Sequence, residues 1–532
     1  MLIDPKTLPE DIASLKQTIV GMAATQAELE LKYRSQIDDL QERIRLLQKE
    51  LFGRRTEKRP LPEDAKQLKL FNEVEVFCPE AAAEDEEAAQ TMEIPAHTRK
   101  KPKRKPLPKD LPRVDVIHDL SEEEMVCACG TPLSRIGQEE SEKLDIVPAK
   151  IQVLRHIRYK YACKNCEGVE DDGPTVKVAP MPPQIIDKGM ATPGLLAYIA
   201  TAKYADSLPL YRQEKIFARY GIELSRVTMA GWMVKSAQAC EPVMGLLHKA
   251  LLSDLLVNVD ETPVQVMKEP GRSNSSKSYM WVYCGGPVGK PVVLFRYSPT
   301  RAGDNAREML KGYEGYVQSD GFAGYNILET NGSPIRLVGC MAHVRRKFIK
   351  VIDARGRAGP AKTGSAEVAL SYIGRLYEVE KYARRNELSP EQIYDLRQER
   401  ARPILEEFKA WMDKRVDQTP PKSLLGKAFT YALTHWNRVV RYLEDGRLKP
   451  DNNVAENAIR PFVVGRKNWL FAGHPNGAKA SATLYSLIET AKANGLEPYR
   501  YLRFLFERIP YASTSADYQA LLPQTVDPAQ LV

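Results

Sequence analysis

In this 532-residue chain, the spacing of apolar residues changes from a helical pattern to a strand pattern at residue 255. The region from there to residue 340 limits the possible folds more than any other. Three β-branched runs come first: LLVNVDETPVQVM, YMWVYC and PVVLFRY. They are followed by a helical pattern (RAGDNAREMLKG), a strand (GYVQS), a second helical pattern (GFAGYNILET) and a last strand (IRLVGC). The predicted order is β-β-β-α-β-α-β. We expect the first strand run to end at Asp260 and the fourth strand to be followed directly by Asp320.

That order is the one of an RNase H-like fold, in which the first and fourth strands are neighbours. Asp260 and Asp320 would then lie side by side. Carboxylates so placed suit Mg²⁺ or Mn²⁺, which keep positions open for water and phosphate oxygens. Two such ions about 3.5–4 Å apart can serve an in-line displacement at phosphorus.

A third carboxylate is expected from the segment PDNNVAENAIRPFVVGRKNWLF. Asp451 or Asn452 can cap a helix there, Glu456 lies inside it, and we expect Pro461 to end it. Three basic residues share or follow this helix and suit a polyanionic substrate: Arg460, Arg466 and Lys467. On spacing alone, an alternative remains, in which the aspartates are turn residues and Glu456 forms a surface ion pair worth under about 1 kcal/mol.

His343, in the segment CMAHVRRKF, follows the predicted fifth strand. It is either a helper near the active site or a capping and packing residue. The three basic residues after it, Arg345, Arg346 and Lys347, are candidate phosphate contacts, although a solvated basic face would also account for them.

Residues 8–51 carry apolar side chains at alternating spacings of four and three, with one stutter, which predicts a coiled coil. The alternative is an amphipathic helix packed on its own protein. We favour oligomerisation, because no adjoining globular sequence is available to cover the stripe.

Residues 56–112 read as a linker, acidic at first and then basic and proline-rich (HTRKKPKRKPLPKDLPR). The prolines favour an extended chain, which could lie along DNA phosphates or enter a minor groove. A solvated tail is the alternative. The candidate DNA contacts are Arg99, Lys100, Lys101, Lys103, Arg104 and Lys105.

Two close cysteine pairs follow, Cys127 with Cys129 and Cys163 with Cys166. One pair from each of two turns could complete a tetrahedral, structural Zn²⁺ site of the zinc-ribbon kind. The first pair is C-x-C, one residue shorter than the usual spacing, and four buried thiols without metal are the alternative.

Residues 188–245 are predicted to be helical, and YGIELSRVTMAGWMVKSAQ has the pattern of a helix-turn-helix, although plain helix packing would give the same pattern.

Composition limits the partners, the location and the classes of protein that remain. Lys and Arg exceed Asp and Glu by 77 − 69 = 8, which permits nucleic acid as a partner. No apolar run is long enough for a membrane span, no signal peptide is visible, and eight cysteines are too few for a disulfide scaffold, so we expect a cytoplasmic protein. No G-x-x-x-x-G-K-[ST] loop occurs, so ATP hydrolysis is not expected.

The segments VDETPVQV, QSDGFAGYN, GCMAHVRRKF, DNNVAENAIRPFVVGRKNWLFAG and LYSLIETAKANGLEPYRYL together resemble transposases of insertion sequence family sixty-six, the TnpC type. The resemblance covers nearly the whole chain. It implies a DDE triad of Asp260, Asp320 and Glu456, each matched by its motif. The chain departs from the family in Val264-Gln265, where tryptophan is frequent, and in the C-x-C pair.

The resemblance implies a multidomain α+β protein that cleaves transposon ends and joins the 3′ hydroxyl to target DNA. Its partners would be double-stranded DNA, at least one further copy of the chain and small accessory proteins, at the nucleoid. The rivals are an RNase H-like nuclease or resolvase that never joins, and a domesticated DNA-binding protein. The expected segments are 1–55 coiled coil, 56–113 linker and arm, 114–180 cysteine module, 181–250 helical DNA-binding region, 251–349 and 448–480 catalytic core, 350–447 helical insertion, and 481–532 C-terminal helices.

Overall fold

A computed structural model describes residues 151–162, 176–187, 189–330, 332–355 and 364–531, together with scattered positions between 11 and 44. The chain forms two compact units. One comprises Met1–Cys78 and Pro182–Val532, and the other comprises Pro79–Met181. The described part of the smaller unit contains an antiparallel hairpin of β1 (Lys160–Ala162) and β2 (Val176–Val178).

The large unit is organised around a mixed sheet in the order β5-β4-β3-β6-β7, and β8 pairs with the far end of β3. Strands β3, β4 and β5 are antiparallel neighbours, whereas β6 and β8 run parallel to β3 and β7 runs parallel to β6. The strands are β3 (Leu256–Val266), β4 (Lys277–Gly285), β5 (Val292–Ser298), β6 (Gly315–Gln318), β7 (Ile335–Val338) and β8 (Phe471–Ala472). The fold is therefore a mixed α/β fold.

Helices from both ends of the large unit share one hydrophobic core with this sheet. The N-terminal set is α1 (Pro193–Tyr204), α2 (Leu210–Arg219), α3 (Arg226–Ala239) and α4 (Glu241–Leu252), and α5 (Asp304–Met309) follows β5. The side chains of Thr192 and Ser225 cap α1 and α3 by accepting backbone N–H bonds. The C-terminal set is α12 (Asn453–Trp469), α13 (Pro475–Ala493), α14 (Pro498–Arg508) and α15 (Ser515–Ala520).

A second hydrophobic core lies within the helices that connect β7 to α12. These helices are α6 (Met341–Arg355), α7 (Ser365–Arg385), α8 (Pro390–Leu396), α9 (Arg402–Val416), α10 (Leu424–Thr434) and α11 (Trp436–Val439). A buried guanidinium, Arg397, joins them by bonds of 2.8 Å to Glu380 and 2.9 Å to the carbonyls of Tyr442 and Leu448. Because every partner of this charge is an acceptor, its burial is compensated.

Three details differ from the sequence predictions. The first strand does not end at Asp260, because pairing with β4 continues to Gln265. The segment expected as a second helix contains only a 3₁₀ helix, Ala323–Leu328. The prediction that Pro461 ends its helix was wrong: it lies inside α12, where burial of Phe462 and Gly465 holds the following turns in place despite the missing N–H.

Described positions between 12 and 44 are helical, and their apolar side chains, among them Ile12, Ile37, Leu40 and Ile44, are exposed. Oligomerisation through this stripe stays a prediction. Among the described residues, no helix is both long and apolar enough to cross a membrane.

Candidate active site

Strand register places the two aspartates side by side. Strands β3 and β6 are parallel, and Asn258 is directly opposite Gln318. Asp260 and Asp320 each follow those residues by two positions, and the negative charge of Asp320 acts on Asp260, so the two carboxylates lie near each other. The Asp320 carboxylate accepts the Phe322 N–H at 2.8 Å, which fixes its position after the strand.

The third carboxylate comes from the first turn of α12, which packs against β3 and β4. Glu456 accepts a bond from Arg346 through Oε2, and its Oε1 lies 3.6 Å from His343 Nδ1. The Glu456 side chain is 16% exposed, so this charge is largely shielded from water. The structure therefore gives Glu456 a partner on α6, and not Arg460 one turn along its own helix.

The carboxylates perturb one another. Burial raises the pKa of Asp260 well above its ordinary value of 3.8, and the negative charges of Glu261, Asp320 and Glu456 raise it further. Burial also raises the pKa of Glu456, an effect that Arg346 opposes. This excess of clustered negative charge favours a bound cation.

A buried amide network supports the site from below. Asn258 Nδ2 donates to Gln318 Oε1 and to Asn452 Oδ1, both at 3.0 Å. Asn452 Nδ2 donates to the Val259 carbonyl at 2.8 Å, and Gln318 Nε2 donates to the Lys449 carbonyl at 2.7 Å. The bonds join the three elements that carry Asp260, Asp320 and Glu456, so they fix the relative positions of the carboxylates.

Sequence reasoning missed both the amides and a fourth acid, Glu261. The Glu261 carboxylate accepts bonds from Tyr325 and from Arg301, whose Nε is 2.8 Å away, and its side chain is 1% exposed. Burial raises the pKa of Glu261 despite these partners. The sequence does contain a signal for the amides: Asn258 and Gln318 are polar residues inside otherwise apolar strands, each two positions before an aspartate.

The ligand-forming groups that lie closest together are not the three predicted carboxylates. The described residues contain one group of three such side chains whose ligand atoms all lie within 4.8 Å of one another: Cys340, His343 and Glu456. Burial, followed by the charge of Arg346, lowers the pKa of His343 to about 4, so its ring is neutral at pH 7. Arg346 Nη1 donates to His343 Nε2 at 2.9 Å.

The predicted basic residues have different surroundings. Arg345 is buried, Arg346 binds Glu456, and Lys347 lies 4.9 Å from the centre of the Tyr431 ring. On α12, Arg460 is half-buried and Lys467 exposed, while Arg466 donates to Thr262 Oγ1 at 3.0 Å, near the end of β3. The six basic residues of the 99–105 arm and all four cysteines of the 127–166 module lie outside the described residues.

The fold and site define a mixed α/β protein with an acidic centre where β3, β6 and α12 meet. Sequence models of one family match along the chain: the transposase IS66 family at residues 188–480, the transposase C of IS166 homeodomain at 39–116, the zinc-finger binding domain of transposase IS66 at 124–167, and the IS66 C-terminal element at 486–524. The chain belongs to the IS66 family of transposases.

Its relatives include three proteins of Sinorhizobium fredii (strain NBRC 101917 / NGR234). Uncharacterized protein y4jD is 37% identical over 78% of this chain and 81% of its own length. Uncharacterized protein y4qI is 31% identical over 99% of both chains, and uncharacterized protein y4hP is 30% identical over 91% of this chain and 88% of its own. No solved structure matches the chain.

Proposed function

We propose that this protein is a DDE transposase, which cleaves the ends of an insertion sequence and joins the freed 3′ hydroxyl to target DNA. The observation that supports the proposal is the register of Asn258 opposite Gln318, two positions before Asp260 and Asp320, together with the packing of α12, which carries Glu456, against β3. The sheet order β5-β4-β3-β6-β7, antiparallel on one side of β3 and parallel on the other, supports an RNase H-like core.

The donor set fits hard divalent cations. Asp260, Asp320 and Glu456 offer only oxygen ligands, and a cation would neutralise the negative charge that, after burial, raises the pKa of Asp260. These three residues would hold Mg²⁺ or Mn²⁺, two ions in all. When bound, the ions would stabilise the negative charge on the phosphate under attack and on the departing oxygen.

The remaining chemistry needs no energy source. In cleavage, the oxygen of water forms a bond to phosphorus as the 3′ oxygen leaves with a proton. In joining, the oxygen of that 3′ hydroxyl bonds to a target phosphorus while the target strand's own 3′ oxygen leaves and takes up a proton, so one P–O bond forms as another breaks. Arg346 holds the Glu456 carboxylate in place. We assign contacts with backbone phosphates to Arg460, Arg466 and Lys467 on α12.

The other segments would bind and assemble the DNA. We assign structural Zn²⁺ to the four cysteines at 127, 129, 163 and 166, phosphate or minor-groove contacts to the arm at 99–105, and pairing of two protomers to the N-terminal helix. Helices α2 and α3, joined through Gly221 at φ +74°, are assigned to recognition of the terminal repeats. Small proteins of the same element are proposed as additional partners, and the nucleoid is the expected location.

A strand-transfer assay separates this proposal from its rivals. The full chain is incubated with Mg²⁺, pre-cleaved terminal-repeat duplexes and a supercoiled target plasmid. A transposase gives covalently joined products. Cleavage of intact ends without any joining would indicate a nuclease or resolvase, and end binding without either reaction would indicate a DNA-binding protein.

A further inference from the structure

A cluster of sulfur, nitrogen and oxygen ligands adjoins the carboxylates on the α6 side. The three donors are Cys340, immediately before α6, His343, in the first turn of α6, and Glu456 on α12. Their ligand atoms all lie within 4.8 Å of one another. Thiolate and imidazole ligands select Zn²⁺ over Mg²⁺, which prefers an all-oxygen set.

Two of the donor atoms are buried and have no hydrogen-bond partner: His343 Nδ1 and Glu456 Oε1. They face each other at 3.6 Å, because Arg346 occupies the opposite atoms, His343 Nε2 and Glu456 Oε2. Buried polar atoms without a partner are costly, and a bound ion is one way in which such a cost is offset.

The Cys340 sulfur accepts a backbone hydrogen bond at the start of α6. The Asn452 N–H donates to Cys340 Sγ at 3.2 Å, and the His343 backbone N–H donates to the carbonyl of the same cysteine. Cys340 also sits at the N-terminal end of α6, where the helix dipole favours negative charge. Burial, followed by the charge of Glu456, nevertheless raises the pKa of the Cys340 thiol to about 12, so a bound cation is what would offset the charge of a thiolate here.

We propose that Cys340, His343 and Glu456 form an inhibitory Zn²⁺ site. Zn²⁺ replaces the thiol proton of Cys340, which is released to solvent. The imidazole proton moves from Nδ1 to Nε2, and Arg346 keeps its bond to Glu456 while giving up the one to His343. Occupancy draws Glu456 away from the catalytic ions, so the inhibitory consequence, though not the binding itself, rests on the proposed transposase activity.

Co²⁺ binding to the full-length protein tests the site directly. Wild type should show a sulfur-to-cobalt charge-transfer absorption beyond that of Cys340→Ser, and should retain one more equivalent of metal after dialysis. Cys284→Ser is the matched control, since Cys284 is also a buried free cysteine but lies outside the cluster, and it should match wild type. His343→Gln, whose cysteines are intact, should weaken binding at least about tenfold. Identical spectra and metal content in wild type, Cys340→Ser and His343→Gln would overturn the proposal.

Inhibition is measured separately. Micromolar Zn²⁺ should lower Mg²⁺-dependent end cleavage by wild type and Cys284→Ser at least about tenfold more than cleavage by Cys340→Ser, as expected when one ligand is lost. Equal inhibition of all three would overturn the inhibitory role. Absence of cleavage by wild type in Mg²⁺ alone would contradict the proposed function and leave the metal-binding result to stand by itself.

Discussion

Asn258 and Asn452 lie 194 positions apart in the chain and share a buried hydrogen bond of 3.0 Å beneath the carboxylates. Asn452 is also the residue that precedes α12, yet its side chain does not cap that helix. It is turned inward to hold β3 instead. The start of the helix that carries Glu456 is thereby tied to the strand that carries Asp260.

Asn452→Ala should destabilise the protein because it leaves an Asn258 N–H and the Val259 carbonyl without their partner. We expect the free energy of unfolding to fall by about 2 kcal/mol or more. Denaturant unfolding of the full chain measures this. Asn457→Ala, on the exposed face of the same helix, is the control and should change stability by less than about 0.5 kcal/mol. Equal effects of the two changes would contradict the role given to the network.

Asp260→Asn should stabilise the fold at pH 8 while removing activity. A carboxylate whose pKa is raised by folding binds its proton more tightly in the folded chain, so its ionised form destabilises the fold above that pKa. Removing the charge should add on the order of 1 kcal/mol at pH 8. The advantage should shrink as the pH falls toward 3.8, since wild type then gains its proton. Thermal unfolding of both proteins across this range is the measurement, and a variant less stable than wild type at pH 8 would contradict the electrostatic account.

Mg²⁺ should raise the melting temperature of wild type by binding the folded chain. At about 100 times the dissociation constant, the gain is about 2.7 kcal/mol. Asp260→Asn and Glu456→Gln should show a smaller shift, whereas Asp304→Asn, an exposed change on α5, should keep it. Differential scanning fluorimetry with matched ionic strength checks this. The same shift of the melting temperature in all four proteins would show that the ion binds elsewhere.

Much of the sheet could be predicted because period-2 apolar patterns and β-branched residues are local signals. The adjacency of Asp260 and Asp320 followed from strand order. Their supporting contacts did not, since the Asn258–Gln318 bond depends on register between strands 60 residues apart. The strand that continues past Asp260 depends likewise on its pairing with β4.

Long-range packing also decided the contacts of Glu456. Its partner Arg346 is 110 positions away in sequence, whereas helix geometry alone offers Arg460, one turn after Glu456. The sequence does not mark Cys340 as a ligand, because its proximity to His343 and Glu456 arises only when the chain is folded. Pro461 was predicted to end its helix because proline breaks helices locally. Burial of α12 overrides this local preference.

Whether Asp320 is a catalytic carboxylate is tested by the full-length Asp320→Asn variant on duplexes that carry the terminal repeat flanking the gene. We expect end binding equal to wild type and cleavage and joining slowed by at least about 1,000-fold, the equivalent of about 4 kcal/mol in the barrier. The exposed Asp304→Asn should react at the wild-type rate. Cleavage by Asp320→Asn at the wild-type rate would contradict the assignment of this carboxylate.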